Sequence, residues 1–499
     1  MSKLTKNIYS NFFGSFLISF ANLIAIPKYI SFLGLANYGI VGIYTTLYYL
    51  ILTFIEFGFG VALSREVAKK NNNFYLVPLL FTYEKIYLAF SLLIFCILII
   101  FERVILSSWQ INIPENTYIF ICCTLISRCM VSLYGAFLNG VQKNEIYNIT
   151  VSIAEVSRIL IIVSVFEIYG ASTSVFFIIQ FSMNSLTLVT LYMITWKVIG
   201  ETNPFKYIFE IDVNILAQIK SFLRNTTFIY ILAGIITQID KIFLVRFVEE
   251  EEFASYVTVS VLVFSLGKLV TPIFSTTVPA LAEAYTEKNT EKFTFIMHKS
   301  SQLITLLIVP VSLYVCFYSE QLIMFWTNNI MIVTFMGIPM KIFMVGMLLN
   351  GFFHQYYATT LALKEDKLIL WHNIVALIIQ CILLPLLLPL YGLKASAVIW
   401  VLVNCIYFFV TPHFIQSSYF RVLKKDWYLF DILYPLIAAT STAFLCYFTF
   451  MYFTSNIFIE MLTFMTFVGL STLISIKDYR QKIHKILCSI VSKRNIFKV

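Results

Sequence analysis

The sequence predicts an all-α polytopic integral membrane protein with about fourteen transmembrane helices. Three observations predict it. Of 499 residues, 60% are apolar and only 12% are charged, whereas ordinary soluble domains run at roughly 45–50% and about 25%. The mean hydropathy is +0.85. The apolar residues form continuous runs of about twenty, the length that crosses a hydrocarbon core, and not the alternating pattern of a membrane barrel. Soluble enzymes, nucleic-acid binders, disordered chains and disulfide scaffolds are excluded, because the polar residues are too few to clothe the apolar ones.

Fourteen spans are expected. Six lie in the first half, over residues 12–33, 40–62, 79–101, 116–141, 147–168 and 173–196. Six follow over 225–247, 254–281, 300–318, 335–360, 372–390 and 393–415, and a last pair over 431–453 and 457–476. The first span follows a short basic start with no small-residue cleavage site, so it is expected to be a retained helix and not a signal peptide. The domain boundaries expected are 1–196 for an N-terminal lobe, 197–224 for a linker with an amphipathic helix, and 225–415 for a C-terminal lobe. An extra helix pair over 416–476 and a basic amphipathic tail over 477–499 complete the chain.

Charge in the loops sets the orientation. One alternating set of loops carries 25 Lys and Arg, while the opposite set carries Arg103 and, at a span edge, Lys394. Basic loops stay in the cytoplasm. Both termini are therefore expected there, which requires an even count: fourteen or twelve crossings fit and thirteen does not. The net charge of +9 is mostly this orientation signal. In the tail, Ile483, Ile486, Leu487 and Ile490 share a helical stripe with lysines off it, as in a helix lying on an anionic leaflet. Residues 206–223 show the same pattern.

A shift of 218 residues lays span one on span seven. It aligns Asn22 with Asp240, Lys28 with Arg246 and Tyr38 with Tyr256. Two six-helix lobes related by a parallel pseudo-repeat are thus expected, a known transporter plan.

Several chemistries lack their residues. The sequence holds no phosphate-binding G-x-x-x-x-G-K-[ST], no H-E-x-x-H and no G-x-S-x-G. Its nine cysteines have no metal-ligand spacing, and all but Cys488 lie in apolar runs, so they read as packing thiols. No metal or other cofactor is expected. The outward loops are short, and in the longest, 102–115 and 319–334, the charges are Glu102, Arg103, Glu115 and Glu320. This opposes a membrane-embedded glycan polymerase or ligase with an external active site.

Ionisable residues at membrane depth each cost at least ~2.5–3.5 kcal/mol, so they mark cavities, partners or substrates. Eight basic residues fall within spans: Lys28, Lys85, Arg128, Arg158, Lys241, Arg246, Lys268 and Lys341. The acidic ones away from span ends are Glu56, Glu84, Glu155 and Asp240. Glu84 and Lys85 sit one turn inside span three and are expected to snorkel. Glu155 and Arg158 are spaced to pair on one helix. Lys28 and Arg246 lie near span ends. Arg128 and Lys268 lie near mid-span with no opposite charge at i±3 or i±4, so they are expected to line a cavity. Lys341 follows Pro339, which can kink its helix. Basic residues exceed acidic ones two to one, and an anionic ligand or water must satisfy the remainder. A multidrug exporter of cations would call for the reverse balance.

The stretches Asn11-Phe12-Phe13-Gly14-Ser15, Pro27-Lys28-Tyr29-Ile30 and Asn37-Tyr38-Gly39 resemble the start of polysaccharide-unit flippases. Glu56-Phe57-Gly58-Phe59-Gly60, Arg65-Glu66 and Gln238-Ile239-Asp240-Lys241 continue the pattern. These flippases belong to the multidrug/oligosaccharidyl-lipid/polysaccharide exporter superfamily. Many members carry Asp where Glu56 stands. The resemblance implies flipping of an undecaprenyl-diphosphate-linked oligosaccharide across a bacterial cytoplasmic membrane by alternating access, for a surface polysaccharide such as O-antigen. It implies that Arg128, Lys268, Lys28, Arg246, Lys341, Lys241 and Arg158 bind the substrate. Asp240, Glu56 and Glu155 would couple transport to H+ or Na+. Partners implied are the lipid-linked oligosaccharide, membrane lipids and other polysaccharide-assembly proteins. Spans thirteen and fourteen resemble the extra pair of lipid II flippases, where a tail groove forms.

Overall fold

The computed structural model describes residues 3–69, 73–103, 115–200, 227–419, 423–453 and 457–476. The stretch 206–223 and the tail, where amphipathic helices are expected, lie outside the described residues. Among the described residues there is no strand. The helices are α1 (Lys3–Leu33), α2 (Leu35–Phe54), α3 (Val61–Lys69), α4 (Asn73–Ile100), α5 (Glu115–Gly140), α6 (Asn144–Tyr169) and α7 (Thr173–Ile199). The series continues with α8 (Thr227–Ile236), α9 (Ile239–Phe247), α10 (Glu250–Ser265), α11 (Gly267–Thr286), α12 (Thr290–Thr327) and α13 (Ile330–Ala362). It ends with α14 (Asp366–Tyr391), α15 (Leu393–Tyr419), α16 (Leu423–Asp426), α17 (Tyr434–Phe453) and α18 (Ile457–Ser475).

Thirteen of the fourteen expected spans are runs long and apolar enough to cross a membrane. The seventh differs, being broken into α8 and α9. The break has a local cause. The Thr237 hydroxyl donates to the Gly234 carbonyl at 2.8 Å. The Gln238 N–H then turns to the Ile235 carbonyl at 3.0 Å, a tightened turn that does not continue the α ladder. The aligned span in the first half, α1, runs unbroken for 31 residues.

Two other spans keep their direction but widen into π turns. One covers Ile55–Gly60, between α2 and α3. The other covers Trp427–Leu433, before α17. The second follows from Pro435, which has no N–H to offer the carbonyl four residues back and crowds it with its ring. That carbonyl belongs to Asp431, and the Thr305 hydroxyl takes the donor's place at 2.9 Å.

The chain forms two compact units, one of residues 1–258 with 373–392 and one of 259–372 with 393–499. In the first, α5 packs on α4 and α7, and α1 on α6. Leu80, Tyr83, Leu133, Phe137 and Leu191 form its core. The Asn373 amide donates to the Ile229 carbonyl at 3.2 Å, tying α14 to α8. In the second unit α12, α13 and α15 pack together, and α17 and α18 pack on each other and on α12. Its core includes Ile304, Ile308, Phe352, Tyr356, Trp427 and Phe464.

Candidate functional site

The largest convergence of charge in the first unit lies among α2, α5, α6 and α7. Glu155 and Arg158, one turn apart on α6, are both buried. One Glu155 oxygen accepts from Arg158 and the other from Arg128 of α5 at 2.6 Å. Arg128 also donates to the Tyr48 hydroxyl at 3.3 Å, and its guanidinium lies 4.9 Å from the centre of that ring. A cavity of about 40 Å³ opens beside the cluster, lined also by Glu56, Ser132, Asn184 and Thr187. That volume holds a few waters and is too small for a sugar. The buried Nε atoms of Arg128 and Arg158 and the Asn184 amide nitrogen make no hydrogen bond among the described residues. The cluster thus sets two guanidiniums against one carboxylate and leaves several donors unfilled.

Arg128 lines this cavity, as expected, yet it is not without a counter-charge. Arg128 has no counter-charge on its own helix, but α6 supplies one from a neighbouring helix, which linear spacing cannot show. Glu56 sits in the first π turn, is exposed, and lines the same cavity.

The second feature is the break in span seven. Asp240 stands in the first turn of α9, where a carboxylate suits the helix dipole, and is buried. Its oxygens accept from the Lys241 N–H at 2.8 Å and from the Tyr256 hydroxyl. The Lys241 ammonium turns back to the Thr237 carbonyl at 3.0 Å and the Gln238 side chain at 3.1 Å. Lys241 therefore caps the backbone groups that the break releases.

The remaining expected residues stand apart. Lys28 and Arg246 are exposed. Lys268 is exposed and begins α11 in the second unit. Lys341, which the resemblance places among the substrate-binding residues, pairs with Glu320 at 3.1 Å. Glu84 does not snorkel: it is half-buried and accepts from the Tyr134 hydroxyl at 2.8 Å. Tyr48 and Tyr134 were not singled out by sequence, because one tyrosine among thirty carries no signal.

Solved structures with this helix arrangement define the class as a multi-helix membrane transporter fold. A lipid II flippase MurJ in an inward closed conformation matches with a TM-score of 0.70 and 13% identity, over 96% of this chain and 100% of that one. An inward-facing multidrug resistance MATE family transporter of the MOP superfamily matches at 0.68 and 15%, over 82% and 96%. A MOP superfamily transporter from Pyrococcus furiosus, described by the reverse polarity of its binding pocket, matches at 0.58 and 15%, over 85% and 96%. By sequence the chain belongs to the polysaccharide biosynthesis protein family, whose model matches residues 4–285. No curated protein matches it by sequence.

Proposed function

We propose that the protein flips a polyprenyl-diphosphate-linked oligosaccharide from the inner to the outer leaflet of a bacterial cytoplasmic membrane, and is not an enzyme. The observation that carries this reading is the Arg128–Glu155–Arg158 cluster. Two guanidiniums share one carboxylate beside a cavity, with Nε donors unfilled. Planar guanidiniums bind phosphate oxygens in pairs, so a diphosphate is the complement. The family match and the fold shared with a lipid II flippase support the same reading. The cavity must widen before a headgroup enters. Glu56 lies at its edge and is the carboxylate best placed to exchange a coupling ion, H+ or Na+, with Asp240 the second candidate. The fold is also that of multidrug transporters, but a surplus of cations disfavours cationic drugs.

The test is transport of a short-chain lipid-linked oligosaccharide into proteoliposomes. Charge-assisted hydrogen bonds contribute roughly 1.5–3 kcal/mol each. Arg128→Ala and Arg158→Ala should therefore each lower the rate about tenfold or more, and Arg128→Lys less. Protein recovered in the vesicles is the control. Full-rate transport by both alanine variants would exclude this cluster as the headgroup site.

A further inference from the structure

The second unit holds a buried carboxylate that the proposed transport site does not use. Asp431 is 1% exposed and sits in the π turn before α17. One of its oxygens accepts from the Gln302 amide at 3.0 Å, and the other meets Nδ1 of His298. Its backbone carbonyl accepts from Thr305 at 2.9 Å. His298, Gln302 and Thr305 are spaced i, i+4 and i+7, so one stripe of α12 grips the turn. The Trp427 indole adds a bond to Ser301 at 2.8 Å.

A buried carboxylate demands a cation or a proton. The His298 side chain is 25% exposed, so it can exchange protons while touching Asp431. An ionised carboxylate only accepts, so Nδ1 carries the hydrogen and Nε2 takes the further proton. Histidine is the side chain whose ordinary charge change falls between about pH 5 and 8.

We propose that His298 and Asp431 form a proton-binding site that latches the head of α17 to α12. Protonation turns a hydrogen bond from a neutral imidazole to the carboxylate into an imidazolium–carboxylate pair and tightens the latch; deprotonation loosens it. Because α17 and α18 pack on α12, the proton governs how firmly the last helix pair is held. Other titratable groups on the surrounding elements include Glu291, Lys292, Lys299 and Glu320 on α12, Lys341 and His354 on α13, Lys394 and His413 on α15, Lys425 and Asp426 on α16, and Glu460 on α18. Lys292 is engaged by Glu283 at 2.7 Å and Glu287 at 3.0 Å, and His354 by the Asn350 carbonyl at 2.8 Å. Lys425 and Asp426 are exposed, before the turn.

The test is hydrogen–deuterium exchange of the full chain in lipid nanodiscs, corrected for the intrinsic pH dependence of exchange. Protection over Trp427–Leu433 should fall about fivefold between about pH 5.5 and 8, roughly the effect of removing the charge from the donor side of one hydrogen bond to a carboxylate. Peptides from α5 serve as the reference and should not change. His298→Gln keeps a donor for Asp431 but takes no proton, so it should abolish the pH dependence while leaving the turn protected. A wild-type turn whose protection follows the reference across this range overturns the proposal without any variant. So does a His298→Gln protein that keeps the wild-type pH dependence.

Discussion

Glu155 and Asp431 are both buried carboxylates within spans, yet their surroundings differ in kind. Glu155 stands on a regular helix and is held by two guanidiniums. Those groups stay protonated at any physiological pH, so the cluster has a fixed charge. Asp431 stands where its helix departs from α geometry; its carboxylate meets an amide and an imidazole among its partners, and its carbonyl a hydroxyl. The imidazole among them changes charge with one proton. Glu56 and Asp240 resemble Asp431 in backbone setting, since each lies at a π turn or a helix break. The comparison teaches that regular helices here build a permanent charge site, and irregular ones expose carboxylates to adjustable partners. Freed backbone groups draw polar side chains to the same places.

The largest expected effect lies at the fixed cluster. Glu155→Gln leaves the buried Arg158 and the half-buried Arg128 guanidiniums facing one another, and breaking such a pair costs up to roughly 3–5 kcal/mol. Thermal unfolding in detergent should show a marked drop in Tm. Adding Arg158→Met should recover part of it by removing the surplus charge, and a double variant no better than the single one would contradict this account.

The next effect is at the widened turn. Thr305→Val keeps the side-chain shape but leaves the Asp431 carbonyl without its donor, at a cost of about 1–3 kcal/mol. Pro435→Ala in the same chain restores a backbone N–H four residues on. The loss should then shrink, and if it persists the proline does not cause the π turn. The smallest effect is expected for Lys341→Ala. Its pair with Glu320 is exposed, at 38% and 53% of the two side chains, and such pairs contribute about 0–1 kcal/mol. A Tm change as large as that of Thr305→Val would show that this pair is not merely a surface contact.

Much of the fold is legible in the sequence because a bilayer imposes length and hydropathy on every span. Thirteen expected spans coincide with continuous runs, most to within a few residues; Thr290–Thr327 extends well beyond the expected 300–318 at both ends, Leu35–Phe54 stops at the π turn short of residue 62, and Leu266 interrupts the eighth. The pairing of Glu155 with Arg158 also follows from helical spacing. What was not legible depends on contacts between helices. Arg128 finds Glu155 across a helix interface, and Glu84 finds Tyr134 fifty residues away. Asp431 was placed at a span edge, where a charge needs no explanation. Pro435, four residues beyond it, was the available signal that its carbonyl would need a partner. The break in span seven was hidden because hydropathy averages over the Thr237 side chain that competes with the helix.

The two pieces of span seven also bear on how the protein is made. At 1.5 Å per residue, α8 and α9 are each about 15 Å long, half of the roughly 30 Å hydrocarbon thickness. The first is wholly apolar apart from Thr227, whereas the second carries Asp240, Lys241 and Arg246. Each of those charges raises the cost of partitioning from the translocon into lipid. The stretch is therefore a poor insertion signal by itself. The 37-residue run that follows, Glu250–Thr286, is long and apolar. Insertion of span seven is therefore expected to draw on that neighbour, the two entering the bilayer together as a hairpin.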